Sequence, residues 1–198
     1  MKIIVIGASG TIGRKVVAFL EKEHEIVKVG SKSGDIQADI SSPASIEAMF
    51  KKVGPFDALI NAAGAAHFGA LKTMTDADFR VGIDHKLMGQ INLVLIGQHY
   101  IRPKGSFTLT SGILSDEPAL KTANLAAVNG AIEAFARAVA IELENGVRIN
   151  VVSPGVAEDS PAFFSVFPGY VPVSMDRLTN AYVKSVLGAR TGEVLKVF

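Results

Sequence analysis

Two hydrophobic periodicities alternate along the chain. Ile3–Ile6 is an unbroken β-branched run, the pattern of a strand buried on both faces. Gly7–Gly13 is glycine-rich, and Thr11–Lys22 then sets Ile12, Val16, Phe19 and Leu20 on one helical face. Glu25–Val29 predicts a second strand and Asp35–Ala38 a short third. Ser42-Pro43 opens a helix to about Lys51, with the serine as N-cap and the proline at the first helical position. Asp57–Ile60 predicts a fourth strand, ending in Asn61-Ala62-Ala63-Gly64. One long helical stretch is expected from Thr75 or Asp76 toward Tyr100. Ser106–Thr110 predicts a fifth strand. Lys121–Glu144 predicts an Ala-rich helix that Asn145-Gly146 stops. Arg148–Val152 predicts a sixth strand, followed by Ser153-Pro154-Gly155. The Pro- and Phe-containing segment Val156–Pro172 reads as irregular. Ser174 caps a last helix to about Leu187, and Glu193–Val197 predicts a last strand.

Strands separated by helices imply βαβ crossovers. The expected fold is α/β: a single doubly wound domain over residues 1–198, its parallel sheet flanked by helices on both faces. Composition narrows the function. Hydrophobic residues make up 48% of the chain, enough for a sizeable core. Basic and acidic residues number 20 and 19, so no nucleic-acid partner held by bulk charge is expected. With no cysteine, the chain can form neither disulfides nor thiolate metal sites, and it has no thiol nucleophile. His24, His67, His85 and His99 lack partners at metal-ligand spacing, so no metal is expected. No apolar run approaches the roughly 20 residues of a membrane span. The apolar stretch of MKIIVIGASG is also too short for a signal peptide. A cytoplasmic protein without a membrane partner is the expectation.

The turn Gly7-Ala8-Ser9-Gly10-Thr11-Ile12-Gly13 joins the first strand to the first helix, where a dinucleotide pyrophosphate would meet free helix N–H groups. Gly7 permits the tight turn, Gly10 the approach of backbone to phosphate, and Gly13 the packing of helix on sheet. The spacing is GxxGxxG, and no Lys-Ser/Thr pair makes it a nucleoside-triphosphate loop. An acid at the end of the second strand would select NAD(H). That position instead reads Ser31-Lys32-Ser33, a cation and two hydroxyls suited to a 2′-phosphate. NADP(H) is therefore favoured over NAD(H).

Taken in order, these segments resemble the short-chain dehydrogenase/reductase family. The set is the glycine turn Gly7–Gly13, Asp39-Ile40, Asn61-Ala62-Ala63-Gly64, Thr110-Ser111-Gly112, the Ala-rich helix and Pro154-Gly155. The likeness runs from Lys2 to Val197 and implies a Rossmann-type fold. It implies that Asp39 and Ile40 flank the adenine, that Asn61–Gly64 border its ribose, and that Pro154, Gly155 and Val156 line the nicotinamide. Ser111 falls where the family keeps its catalytic serine.

The family's other catalytic positions differ. Its tyrosine position, thirteen residues on from Ser111, is Asn124, and the lysine position four further on is Val128. Its helix asparagine is replaced by Lys86. A tyrosine titrates near ~10 and needs a neighbouring cation to exchange protons near neutrality, so standard chemistry is not expected. Lys86, Ser111 and Asn124 are the candidate catalytic residues: Lys86 as cation or proton donor, Ser111 and Asn124 as hydrogen-bonding groups. His67 and His85 are alternative donors. Phe163, Phe164, Phe167 and Tyr170 follow Pro154-Gly155, where the family keeps its substrate lid. They suit a small carbonyl or quinone-like molecule, or simply cover the sheet edge. The resemblance also implies a homodimer or homotetramer through the Ala-rich helix and the long helix before it. Two functions remain open. One is an NADP(H)-dependent oxidoreductase acting on a small carbonyl or alcohol with non-standard catalytic residues. The other is a non-catalytic NADP(H)-binding sensor or regulator.

Overall fold

A computed structural model describes residues 1–198. Its strands are β1 (Lys2–Ile6), β2 (Glu25–Gly30), β3 (Ile36–Gln37), β4 (Phe56–Asn61), β5 (Ile101–Thr110), β6 (Arg148–Pro154) and β7 (Val194–Val197). All pair in parallel, in the order β3-β2-β1-β4-β5-β6-β7. The helices are α1 (Thr11–Leu20), α2 (Pro43–Val53), α3 (Asp76–Val81), α4 (Met88–Gly97), α5 (Ala123–Val139) and α6 (Met175–Leu187).

The apolar run of β1 shows why both faces of the sheet are covered. Successive side chains of a strand point to opposite faces. Ile4 and Ile6 pack with Phe50 of α2, Leu93 of α4 and Ile132 of α5. Ile3 and Val5 pack with Val16 and Leu20 of α1 and with Leu178 and Tyr182 of α6. These residues are at most 2% exposed. At about 1.5–3 kcal/mol per buried apolar side chain, the two layers carry most of the burial free energy. The doubly wound fold expected from the sequence is the fold observed. No helix is long and apolar enough to cross a membrane.

Three elements differ from expectation, each for a local reason. β5 starts at Ile101, not Ser106: Phe56 pairs with Ile101 but Ala58 pairs with Ser106, so the ladder bulges between them. The bulge contains Pro103, which cannot donate to a ladder, and Lys104 at a φ of 63°. α5 starts at Ala123 because Lys121 takes a left-handed φ of 68°, and it stops at Val139. The long stretch toward Tyr100 is broken. Between α3 and α4 lies a π-helical turn, Gly82–Leu87. The side chain of Asn124 is inserted beside it. Its Nδ2 donates to the Phe79 carbonyl at 2.6 Å, and a Cβ on Gly82 would lie 2.3 Å from its Oδ1. A polar side chain that takes up a helical carbonyl in this way widens the turn.

The segment after β6 holds a 3-10 turn, Pro161–Val166, inside the stretch expected to be irregular. A bridge between Ala157 and Val173 closes its base. Phe167 packs beneath it on Ile113, Leu114 and Val156.

Candidate active site

A cleft crosses the C-terminal ends of β1, β4, β5 and β6, where the strand order reverses between β1 and β4. Doubly wound sheets bind ligands at such a point. It has two halves that share Ala62 and Gly64.

The half beside β2 is built on backbone. Gly7 has a φ of 78°, and a Cβ there would lie 3.0 Å from the Ala62 carbonyl group. A Cβ on Gly13 would lie 2.0 Å from the Gly7 oxygen, so only glycine lets α1 start this close to β1. Gly10 is the N-cap of α1. No side chain caps that end and no acid lies in its first turn, so its N–H groups are available to an anion. Ser9, Gly10, Ser31, Asp39, Ile40, Ala63 and His85 line this half. Lys32 and Ser33 stand exposed at its rim, and Ser33 Oγ lies 3.3 Å from Ser9 Oγ, tying the β2 loop to the glycine turn. Asp35, the acid of the β2 loop, turns back to accept from Lys28 N at 2.8 Å. Asp39 accepts from Ser41 Oγ and N, which hold its carboxyl below the usual range. Asn61 braces the floor, donating to the Ala63 carbonyl at 2.7 Å.

The half beside β6 is a cavity of about 340 Å³. Thr11, Ile12, Pro154, Gly155 and Val156 form one side. Lys86, Ser111, Leu125 and Asn129 face them, and Phe68, Phe163 and Phe167 close the outer end. Lys86 Nζ donates to the Ser111 carbonyl at 3.1 Å. Burial pushes its ammonium down to about 8, because a low-dielectric wall disfavours the charged form. Gly64 leaves room for its stem, since a Cβ there would lie 2.8 Å from Lys86 Cγ.

Ser111 is 3% exposed, and its hydroxyl donates to Glu133 Oε1 at 2.8 Å. Ser115 donates to the same oxygen at 2.7 Å. Arg137 Nη2 lies 3.6 Å from Glu133 Oε2. With its proton committed to Glu133, Ser111 meets the cavity as an acceptor.

Asn124 must be corrected. It is fully buried, its Nδ2 is spent on Phe79, and its Oδ1 accepts from His67 N at 2.9 Å. It pins the loop after β4 to the π-helical turn and does not line the cavity. Helix α5 presents the next residues, Leu125 and Asn129, four apart on the cavity side. Val128 is 2% exposed and likewise absent from the wall. Asn129 donates to the Gly112 carbonyl at 3.2 Å, and its buried Oδ1 has no partner. Sequence counting also missed Glu133, since an acid in a surface-helix pattern gives no sign of facing inward.

No tyrosine lines the cleft. Tyr182, on α6, is buried against the sheet, where Thr110 Oγ1 lies 2.8 Å from its hydroxyl and desolvation pushes its pKa up. Tyr100 stacks on Phe50, and Tyr170 packs edge-on against Phe167. His67 Nδ1 lies 3.8 Å from Asp78 on the outer side of the loop. No group of three or more His, Asp or Glu is placed to hold a metal ion.

The sheet order and glycine turn define a Rossmann-type α/β protein. Residues 10–167 match the family model described as enoyl-(acyl carrier protein) reductase. The solved protein lin1944 from Listeria innocua is 46% identical, with each chain fully covered and a TM-score of 0.98. A small-chain dehydrogenase solved in complex with NADPH is 29% identical over all of this chain and 96% of its own, with a TM-score of 0.89. Oxidoreductase UcpA of Escherichia coli (strain K12) is 26% identical over 183 residues, 87% of this chain and 68% of its own. The chain belongs to the short-chain dehydrogenase/reductase family.

Proposed function

We propose that the protein is an NADP(H)-dependent oxidoreductase acting on a small carbonyl or alcohol, with Lys86 as the ionisable group of its reacting centre. The observation that carries this reading is the continuous cleft. One half offers uncapped helix N–H groups and a β2 loop with a cation, its one acid, Asp35, being turned back onto Lys28 N. The other offers a small apolar cavity holding one buried ammonium. The NADPH complex of a 29% identical relative supports the choice of nucleotide.

The residues fit that cofactor. The N–H groups of Thr11 and Ile12 would meet the pyrophosphate, the Gly10 N–H being held by the Gly7 carbonyl at 3.0 Å, and Ser31, Lys32 and Ser33 would meet the 2′-phosphate. Asp39 and Ile40 would flank the adenine, Asn61 to Gly64 the ribose, and Pro154 to Val156 the nicotinamide. Asn129 Oδ1, buried and unpartnered, is an acceptor waiting for a donor such as a ribose hydroxyl. Bound NADPH supplies a hydride. Lys86 stabilises the oxyanion that develops on the substrate, and a preorganised cation in a dry wall is the strongest means available to do so. Asn124 holds the loop and π-helical turn from which Lys86 extends.

A non-catalytic NADP(H) sensor is the second reading, favoured by Asn124 and Val128 where the family resemblance places a tyrosine and a lysine. We further propose a homodimer through α4 and α5, where Leu95 is 47% exposed and Ala127, Ala134 and Ala138 lie on an open face. Sedimentation at several concentrations checks it. Cofactor choice is tested by titrating NADPH and NADH, followed by nucleotide fluorescence at fixed salt. NADPH should bind at least about tenfold tighter, as one charge-assisted phosphate contact would give. Equal or absent binding of the two contradicts the assignment.

A further inference from the structure

We propose that Lys86 is a nucleophile that captures small apolar aldehydes in the β6 half of the cleft and holds them as an imine. The proposal goes beyond the oxidoreductase reading and needs no nucleotide. There the ammonium serves an oxyanion; here the free amine attacks carbon. Three features of the cavity carry it.

The first is isolation. Lys86 is the only charged residue lining the cavity. None of the chain's ion pairs includes it. A carboxylate partner would keep the amine protonated; without one, the apolar wall decides, and burial brings its pKa to about 8. At pH 8 about half of Lys86 is then free amine, against well under about 1% of an ordinary lysine. Lysines desolvated in this way are the ones suited to imine chemistry.

The second is orientation. The Lys86 stem passes Gly64, where a Cβ would lie 2.8 Å from Lys86 Cγ, and its Nζ donates to the Ser111 carbonyl at 3.1 Å. The side chain is held at both ends. In the amine form one N–H stays on that carbonyl, and the lone pair is left for the cavity.

The third is the surroundings. Ile113, Leu114, Leu125 and Phe167 supply apolar wall. Phe68 and Phe163 touch, with ring centroids 6.2 Å apart, and close the outer end. The space of about 340 Å³ suits a short chain or a single ring. Water is a product of the condensation, so a wall that excludes water favours the imine over its hydrolysis. Ser111 Oγ, its own proton committed to Glu133, is an acceptor for an N–H of the attacking nitrogen. The step balances. The nitrogen lone pair forms the C–N bond while the carbonyl π pair moves to oxygen. A proton passes from nitrogen to that oxygen, and the resulting carbinolamine loses water. Amine plus aldehyde gives imine plus water, and nothing is oxidised or reduced.

The test reads covalent capture on the whole chain. The protein is incubated at pH 8 with butanal and sodium cyanoborohydride, which reduces an imine to a stable butylamine, and the sites are mapped by peptide mass spectrometry. Lys86 should gain one butyl group at least about tenfold faster than any other lysine, as the amine fractions require. In Lys86→Met the fast adduct should vanish while the remaining lysines react at unchanged rates. Leu125→Trp takes up the space for the aldehyde and should slow capture at Lys86 by about tenfold, with exposed lysines unchanged. Its melting curve shows whether it is folded, and selectivity in the unsubstituted chain decides the proposal whether or not either variant folds. Uniform labelling of the lysines, or a Lys86 slower than the rest, overturns it. Equal capture at Lys86 in folded Leu125→Trp overturns the placement in the cavity. No nucleotide enters the assay, so its failure leaves the NADP(H) reading to the nucleotide titration.

Discussion

The two halves of the cleft are built on different principles. Beside β2 the work is done by main chain: a glycine turn, an uncapped helix end, and a carbonyl approach that tolerates no Cβ. Beside β6 it is done by side chains whose partners lie far apart in sequence, such as Lys86 with Ser111 and Ser111 with Glu133. Backbone sites depend on where glycines fall and so show in the sequence. Side-chain sites depend on which face of a helix turns inward, and a single residue of register changes their content.

The contrast breaks most severely at Gly13. A Cβ there would meet the Gly7 oxygen at 2.0 Å, and the contact is backbone that cannot move aside. Gly13→Val should cost more than about 4 kcal/mol and yield little folded protein in denaturant or thermal melts. Asn124→Ala comes next. It removes two buried hydrogen bonds and leaves the Phe79 carbonyl and the His67 N–H unpaired, for a loss of about 2–4 kcal/mol in urea unfolding.

Lys86 should act in the opposite direction on stability. Its pKa in the folded chain is about 8, below its ordinary 10.5. The unfolded chain therefore holds more protons between those values, and stability rises with pH through that window. Below pH 8 the buried ammonium costs at most about 3 kcal/mol. Lys86→Met should raise the melting temperature at pH 7, and the gain should fade above pH 10. In the unmodified protein, NADPH oxidation should fall as the pH passes about 8 and the ammonium loses its proton. A flat profile across that range would remove Lys86 from the reacting centre. The smallest effect is expected at the rim. Lys32→Asp should lower NADPH affinity about tenfold and leave NADH affinity nearly unchanged, since Lys32 would meet only the 2′-phosphate. Equal loss for both nucleotides contradicts that role.

Much of the fold was legible because buried parallel strands read as apolar runs and the helices between them carry caps and stripes. Ile3–Ile6, the Ser42 cap with Pro43, and Ser174 all fall where expected. The π-helical turn was not legible, because it depends on Asn124 reaching Phe79 from a helix distant in sequence. The full β5 was missed because Pro103 and Gly105 read as loop, whereas a bulge admits both. At the site, the segments expected to hold the cofactor lie together along one cleft. In the other half Asn124 turns away from the cavity and Leu125 faces it, because residue counting across the loop after Ser111 does not fix the rotation of α5. Glu133 carried no signal at all: its burial is set by Ser111, Ser115 and Arg137 together.

The most direct measurement is a crystal structure of the protein grown with NADPH. The pyrophosphate should lie over Gly10–Ile12, the 2′-phosphate against Ser31 and Lys32, and the nicotinamide between Pro154–Val156 and Lys86, with Asn129 Oδ1 accepting from a ribose hydroxyl. Nucleotide density confined to the β2 half, or absent from the cleft, would contradict the claim that both halves form one NADPH site.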